Sequence, residues 1–353
     1  MKKGLTILKV GLMGLIGLMG LMGCSEDSEQ QGVLREDPLY LSAMTRAPSD
    51  GGISDAKEDH SPVQIFLMSG TEKTEGNFVY NTTTQTWVST IGVKEEQNYI
   101  FGFSPSSAAA GTIRPLTSGA SDYSGGAVMT LDNLNAVGGD DLCVVVGVKY
   151  SNTPITDIPS FGTFAFVKQD GNNYASLLLD HLYSAIEFKI KIGPKYSELR
   201  DIYLKKMELQ SAKAVSQAVV TLTANTAGSN PLTDVKFTSS DNAQSNTVYD
   251  YGTDASTTTG LALTAKGTSF VSYCAPITGI ESHLKLVCTY DVYNKKGTKV
   301  RENCVAENSL AGLSGVTIAR GKKSVINLTV EPTYLYQLSE DELDNPGIKI
   351  YSE

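Results

Sequence analysis

Apolar and polar residues alternate with a period of two along most of this chain, as in strands that bury one face. The clearest run places Ile186, Phe188, Ile190 and Ile192 on one face, with Glu and Lys residues between them. Similar segments recur at short intervals and are separated by residues that favour turns. The pattern therefore predicts an all-β chain of antiparallel β-sandwiches, with no long helix after the first segment.

Two groups of these segments divide the chain. One extends over residues 47–175 and the other over residues 176–332, with the boundary expected between Asn172 and His181. A length of 353 residues also suits two domains better than one. We therefore expect two sandwich domains in tandem.

The first 23 residues predict a signal peptide rather than part of the fold. Lys2 and Lys3 precede an uncharged apolar run from Val10 to Cys24, which is too short to cross a membrane. The run ends in LMGC, which matches a bacterial lipobox. The Cys24 thiol is the atom that would receive diacylglycerol, and the small Gly23 before it suits the signal peptidase that would remove residues 1–23. The alternative is an ordinary signal peptide with a coincidental cysteine.

An isolated alternating segment, LYLSAMTR, precedes the first sandwich. Leu39, Leu41 and Ala43 are predicted to point one way, and Arg46 separates them from a stretch rich in Gly, Ser and Asp. The arginine is either an ordinary strand-end residue or has a role that the rest of the sequence must explain.

A second isolated segment follows the second sandwich. Tyr334, Tyr336 and Leu338 are predicted to share one face of a strand, which the acidic SEDELDNPG interrupts. Ile348 and Ile350 then alternate in another short strand. The chain is thus predicted to carry a spare strand at each end.

The cysteines permit one specific pairing. Of the five, none has CxxC spacing, so no zinc or other metal site is predicted. Two lie on a predicted hairpin closed by a three-residue loop with Gly297 in the left-handed position. That register opposes Cys288 to Cys304 and predicts a disulfide, with two buried free thiols as the alternative.

Composition and motifs exclude several function classes. A net charge of −9 argues against a nucleic-acid partner. No nucleophile elbow, Walker loop or dinucleotide fingerprint is present. His60, His181 and His283 lie in unrelated segments, and the acidic groups at 140–141 and 340–342 suit solvated turns better than calcium sites. We expect neither enzyme activity nor a cofactor.

Four stretches together resemble the fimbrillins, the subunits of type V pili of anaerobic Gram-negative bacteria. The likeness covers essentially the whole chain. The stretches are LMGC, LSAMTRAP, LLLDHLYSAIEFKIKI, and FVSYCAPITGIESHLKLVCTYDVYNKKG followed by ARGKKSVINLTVEP. The resemblance implies two transthyretin-like β-sandwich domains, export as a lipoprotein to the outer membrane and cell surface, and assembly into fimbriae that support adhesion.

The resemblance also implies a role for each end of the chain. An arginine-specific protease would cut between Arg46 and Ala47 and remove the propeptide, residues 24–46, with its leader strand. The vacated groove would accept a donor strand from residues 333–353 of another subunit. Implied partners are copies of the chain, anchor and tip subunits, the protease and, through the lipid, the outer membrane.

Two points stay open. The acidic SEDELDNPG interrupts the donor segment, so the sequence does not fix the donor register. The alternative function is a surface lipoprotein that stays anchored, either as a tip or anchor fimbrillin or as a sandwich module that binds glycan or host protein. A stalk subunit needs both the arginine site and a donor strand, and this chain is predicted to have both.

Overall fold

The computed structural model of the chain describes residues 37–46, 60–70, 72–151, 163–224, 229–253, 259–332 and 343–352, with the backbone alone for 42–46. Almost all of the regular structure in these residues is β. Three short 3₁₀ helices occur, at Tyr196–Glu198, Tyr251–Thr253 and Ile280–His283. Within these ranges, no helix is long and apolar enough to span a membrane. The predicted all-β, sandwich-type fold is confirmed.

The described residues form 22 strands. In chain order they are β1 Leu39–Arg46, β2 Val63–Ser69, β3 Glu72–Asn81, β4 Thr86–Ser89, β5 Gln97–Ser104, β6 Ala110–Pro115, β7 Gly126–Asp132, β8 Val137–Gly138, β9 Cys143–Tyr150, β10 Ala165–Val167, β11 Asn173–His181, β12 Ser184–Ile192, β13 Arg200–Ser211, β14 Ala214–Thr223, β15 Leu232–Ser240, β16 Gln244–Asp250, β17 Leu261–Ala262, β18 Thr268–Cys274, β19 Leu284–Asn294, β20 Lys299–Ser309, β21 Lys323–Glu331 and β22 Gly347–Ser352.

These strands form four sheets. Sheet 1 has eight strands in the order β1-β11-β9-β5-β2-β3-β4, with β10 also on β5, and sheet 2 has four in the order β15-β14-β7-β6. Sheet 3 has five strands, β22-β21-β12-β18-β8. Sheet 4 also has five, β16-β13-β19-β20 with β17 on β13.

The central strands of sheet 1, β2, β5, β9 and β11, are buried on both faces. Phe66 and Met68 of β2 pack with residues of sheet 2 in one core, which we call the packed core. Ile65 and Leu67 of the same strand belong to a separate core, which we call the inner core. Because β1 at one end of the sheet contacts β4 at the other, sheet 1 curls around the inner core. Alternate residues of the same strand therefore contribute to two cores, one on each face of the sheet.

Sheets 3 and 4 enclose the second core. The predicted face of β12 is confirmed, since Ile186, Phe188, Ile190 and Ile192 are all buried in this core. The charged residues between them are only partly buried. Period-two patterning was therefore sufficient to orient this strand.

Two strand pairs depart from the antiparallel prediction. β1 pairs parallel with β11, and β12 pairs parallel with β21. In each half of the chain, the first strand therefore lies beside the last. Parallel neighbours cannot be joined by a tight turn, so the chain must cross the sandwich between them. All other described pairs are antiparallel.

The sheets cross the expected domain boundary at 175/176. β11 continues to His181, and β14 pairs with β7, which lies 82 or more residues earlier in the chain. Strands β14 and β15 consequently complete sheet 2 and line the packed core. The division into two domains stays a prediction.

The predicted cysteine pairing is wrong in its register. The hairpin turn forms as expected, with the Asn294 amide donating to the Thr298 carbonyl at 2.9 Å. Two register shifts then follow, so Cys288 lies opposite Ala306 and Cys304 lies opposite Tyr290. The bulge adds two residues to β20 and moves the thiols to diagonal positions. Both cysteines are free thiols.

Candidate leader-strand groove

The leader strand β1 is held on both of its edges. On one edge it pairs with β11 in a register that runs from Leu39 opposite Asn173 to Arg46 opposite Leu179. On the other edge, the Leu39 amide donates to the Ile91 carbonyl at 3.0 Å, and the Val93 amide donates to the Asp37 carbonyl at 2.9 Å. The start of the strand, Asp37–Leu39, is therefore bonded on both edges, and the rest of β1 is described as paired with β11.

Apolar burial anchors the first part of β1. Leu39 is 1% exposed and Leu41 is 4% exposed, and both belong to the inner core with Ile91 and Val93. Burying two leucines contributes roughly 3–6 kcal/mol in total before conformational costs. Both leucines thus face the inner core, and their role in a displaceable leader strand stays a prediction.

The second part of β1 departs from simple alternation. A register shift lies between Leu41 and Ala43, so Ala43 pairs with Ser176 and Met44 with Leu177. The structure describes only the backbone of 42–46, so the predicted facing of Ala43 stays a prediction. An extra residue in a strand reverses the facing of all later residues, and sequence alternation alone does not reveal it.

Polar contacts fix the outer side of the strand. The exposed Tyr40 ring stacks on Tyr174 of β11, with ring centroids 5.2 Å apart. Lys168 forms an ion pair with Asp37 at 2.6 Å, and this hydrogen bond raises the pKa of the Lys168 ammonium. Such exposed contacts position the strand more than they stabilise it.

Arg46 is the last residue of β1. Its backbone lies beside Leu179, and Ala47 falls outside the described residues. The arginine is therefore part of the strand rather than of the loop that follows it. A cut after Arg46 would separate the whole of β1 from the domain that it completes.

An aromatic group lies against the same core. Trp87 of β4 packs on the inner core, and its ring is 5.4 Å from that of Tyr80 on the paired strand. His60 in turn stacks on Tyr80. Since β4 contacts β1, this group closes the curled sheet next to the leader strand.

The C-terminal strand β22 is docked on its own chain. It pairs antiparallel with β21, and Ile348 and Ile350 pack against the second core. The sequence predicted these two isoleucines as part of a spare strand, and the structure places them at the edge of sheet 3. Tyr334, Tyr336 and Leu338 lie outside the described residues.

Three buried side chains hold the turn before β22. Tyr196 donates its hydroxyl hydrogen to the Leu343 carbonyl at 2.5 Å, and Tyr290 donates to the Pro346 carbonyl at 2.5 Å. Arg200 forms an ion pair with Asp344 at 2.7 Å. Burial raises the pKa of both tyrosines, so each stays a neutral hydrogen donor.

These anchors were missed by sequence reasoning because no local pattern connects them to the C-terminal turn. Cys24, the predicted lipidation residue, lies outside the described residues.

No family model matches the chain, and no curated protein does. Among solved structures, a proposed cell adhesion protein from Bacteroides fragilis NCTC 9343 is similar over 90% of this chain and 98% of its own, with 10% identity and a TM-score of 0.48. One from Bacteroides uniformis ATCC 8492 covers 89% and 96%, with 10% identity and a TM-score of 0.41. A fimbrial protein from Bacteroides vulgatus ATCC 8482 covers 89% and 98%, with 11% identity and a TM-score of 0.34. At these identities, a function for this chain must rest on its own residues.

Proposed function

We propose that this chain is a structural subunit of a surface fimbria that supports adhesion. It is exported as a lipoprotein acylated on Cys24, cleaved between Arg46 and Ala47, and polymerised by donor-strand exchange. The single observation that carries the proposal is the placement of β1, which pairs with β11, is bonded on both edges at its start, buries Leu39 and Leu41, and ends on an arginine. A strand so placed can be removed by one cut.

The order of residues makes that cut serve two purposes. Cys24 and β1 both precede Arg46 in the chain. Cleavage after Arg46 would therefore free the subunit from its lipid and from its leader strand together. A cut at the earlier Arg35 would remove the lipid but leave β1 in the groove.

Removal of β1 would create an acceptor. The edge of β11 and the carbonyl of Ile91 would lose their hydrogen-bonding partner, and the positions of Leu39 and Leu41 would become apolar pockets. An incoming strand restores both kinds of contact, with roughly 1.5–3 kcal/mol gained per buried apolar side chain. The leader strand, while covalently attached, has a high effective concentration and keeps the groove filled.

The proposed donor is the segment 333–353, with Tyr334, Tyr336, Leu338, Ile348 and Ile350 as its apolar residues. Because β22 is paired with β21 in its own chain, donation of Ile348 and Ile350 requires this strand to leave sheet 3. The net free energy of exchange is then the free energy of the donor strand in the acceptor groove minus that of β22 on sheet 3. This makes donation a second controlled step after cleavage.

The same docking favours a second candidate function. A cleaved subunit that keeps β22 on sheet 3 accepts a strand without donating one, as expected of a tip subunit, whereas an anchored lipoprotein keeps β1 in the groove. In both cases the partners are copies of the chain, other fimbrial subunits, an arginine-specific protease and, before cleavage, the outer membrane. The net charge of −9 argues against a nucleic-acid partner, because binding to phosphates requires a basic surface.

N-terminal sequencing of protein recovered from the cell surface tests the proposal. A start at Ala47 supports the fimbrial subunit, a start at residue 36 shows cleavage that spares β1, and a blocked, acylated Cys24 supports the anchored lipoprotein. The Cys24→Ser variant should not incorporate a fatty-acid analogue. Labelling equal to that of the native chain would exclude Cys24 as the lipid site.

A further inference from the structure

Three buried side chains of types that can bind a metal ion lie together where β9 begins beside the end of β11. Cys143 begins β9, His181 ends β11, and the two residues are directly paired across the strands. Asp141 lies two residues before β9. Cys143 and His181 are fully buried and Asp141 is 6% exposed. We propose that these three residues form a structural zinc site.

The spacing of the donor atoms fits a zinc ion. His181 Nδ1 lies 2.9 Å from Asp141 Oδ2 and 3.1 Å from Oδ1, and 3.4 Å from Cys143 Sγ. Zinc binds nitrogen and oxygen at about 2.0 Å and sulfur at about 2.3 Å in a tetrahedral arrangement. Those bond lengths give N···S of about 3.5 Å, which matches the observed 3.4 Å, and N···O of about 3.3 Å, so the carboxylate must move a few tenths of an ångström away from Nδ1 to admit the ion.

Two carboxylate oxygens and one sulfur surround Nδ1, although a histidine nitrogen carries at most one hydrogen. The Cys143 thiol also lies 3.5 Å from the Asp141 carbonyl oxygen, to which it can donate. A divalent cation would replace these hydrogens and take one ligand atom from each of the three residues. A carboxylate and a thiolate also balance its two positive charges, which favours binding in a buried site. His181 Nε2 is buried without a hydrogen-bond partner in the described structure, so the ring is oriented through its Nδ1 side alone.

The arrangement is not that of a catalytic relay. In such a relay the nucleophile and the orienting carboxylate address opposite nitrogens of the histidine ring. Here Asp141 and Cys143 both address Nδ1. The site instead joins two neighbouring strands and the loop before β9, close to the point where the chain passes from β11 to β12. Its role is therefore to stabilise this junction, independently of fimbrial assembly.

The experiment uses the full chain carrying Cys24→Ser, which removes the lipid site, unfolded and refolded with either one equivalent of zinc or a chelator. The site predicts about one zinc per chain after gel filtration and a higher melting temperature than in the chelator sample. Refolding with cobalt(II) should give the absorption of a tetrahedral thiolate complex. The Cys143→Ser variant should lose the zinc and the cobalt spectrum.

Cys274→Ser is the matched control, because Cys274 is also fully buried but lies outside the cluster. It should retain the zinc. The proposal is overturned if the native cluster binds no zinc and shows no cobalt spectrum, or if Cys143→Ser binds zinc as well as the control does. Should Cys143→Ser fail to fold, the cobalt spectrum of the unaltered cluster decides by itself.

Discussion

The amide of Leu39 donates a hydrogen bond to the carbonyl oxygen of Ile91 at 3.0 Å, on the edge of β1 that faces away from β11. With the bond from Val93 to Asp37, it holds the start of β1 on the edge opposite β11, while β11 pairs with the strand as far as Arg46. A strand held in this way, with buried leucines, is expected to contribute much of the stability of sheet 1.

The leucines of β1 should dominate that contribution. In the uncleavable Arg46→Ala chain, Leu39→Ala or Leu41→Ala should lower the free energy of unfolding by about 2–5 kcal/mol, because each leaves a cavity in the inner core. Tyr40→Ala is the control, since its ring is exposed and stacks only on Tyr174. It should cost about 0.5–1.5 kcal/mol. Urea unfolding gives these values, and an equal or larger cost for Tyr40→Ala would contradict this account of β1.

Trp87 should report whether the groove is filled. It is the only tryptophan of the chain and packs on the inner core, on a strand that contacts β1. Departure of β1 after cleavage should expose the indole, shift its emission to longer wavelength and increase quenching by acrylamide. Adding a peptide of residues 39–46 should reverse both changes. An unchanged spectrum, with the released peptide shown to be absent, would mean that Trp87 does not lie beside the vacated groove.

The ion pair between Arg200 and Asp344 should restrain donor release. Asp344→Asn removes a charged partner from a pair in which Arg200 is almost buried, and should weaken docking of the C-terminal turn by about 1.5–3 kcal/mol. Amide hydrogen exchange in β22 should then become faster. Lys349→Ala is the control, because its ion pair with Glu331 is half exposed and should matter by less than about 1 kcal/mol. Equal exchange rates in the two variants would show that the Arg200 pair does not hold the strand.

Sequence patterns predicted the strands but not their partners. The alternation in LYLSAMTR and in SAIEFKIKI correctly located β1 and β12, because period-two burial is a local property. The same patterns could not show that both strands pair parallel with strands more than 100 residues later. Pairing depends on how the whole chain crosses the sandwich, and no local residue choice encodes that crossing.

The register between paired strands was the second feature that the sequence did not predict. The turn at Asn294–Thr298 formed as predicted, yet two shifts moved Cys304 from Cys288 to Tyr290. Asn303 takes a left-handed backbone conformation within this bulge, for which asparagine is suited but not diagnostic. The cluster of Asp141, Cys143 and His181 escaped notice for a related reason. Its spacing depends on the β9–β11 register, and metal-ligand patterns cover only ligands that are close in sequence.

The most direct test of strand exchange is polymerisation after treatment with an arginine-specific protease. The native chain and Arg35→Ala should both be cut after Arg46 and form ladders that persist in denaturing gels. Arg46→Ala should remain a folded monomer by size-exclusion chromatography, because its leader strand stays covalently attached. A chain truncated at residue 332 should be cut but fail to donate, and should cap the assembly of intact subunits. If Arg46→Ala forms ladders as readily as the native chain does, the leader strand does not block assembly and the account is wrong.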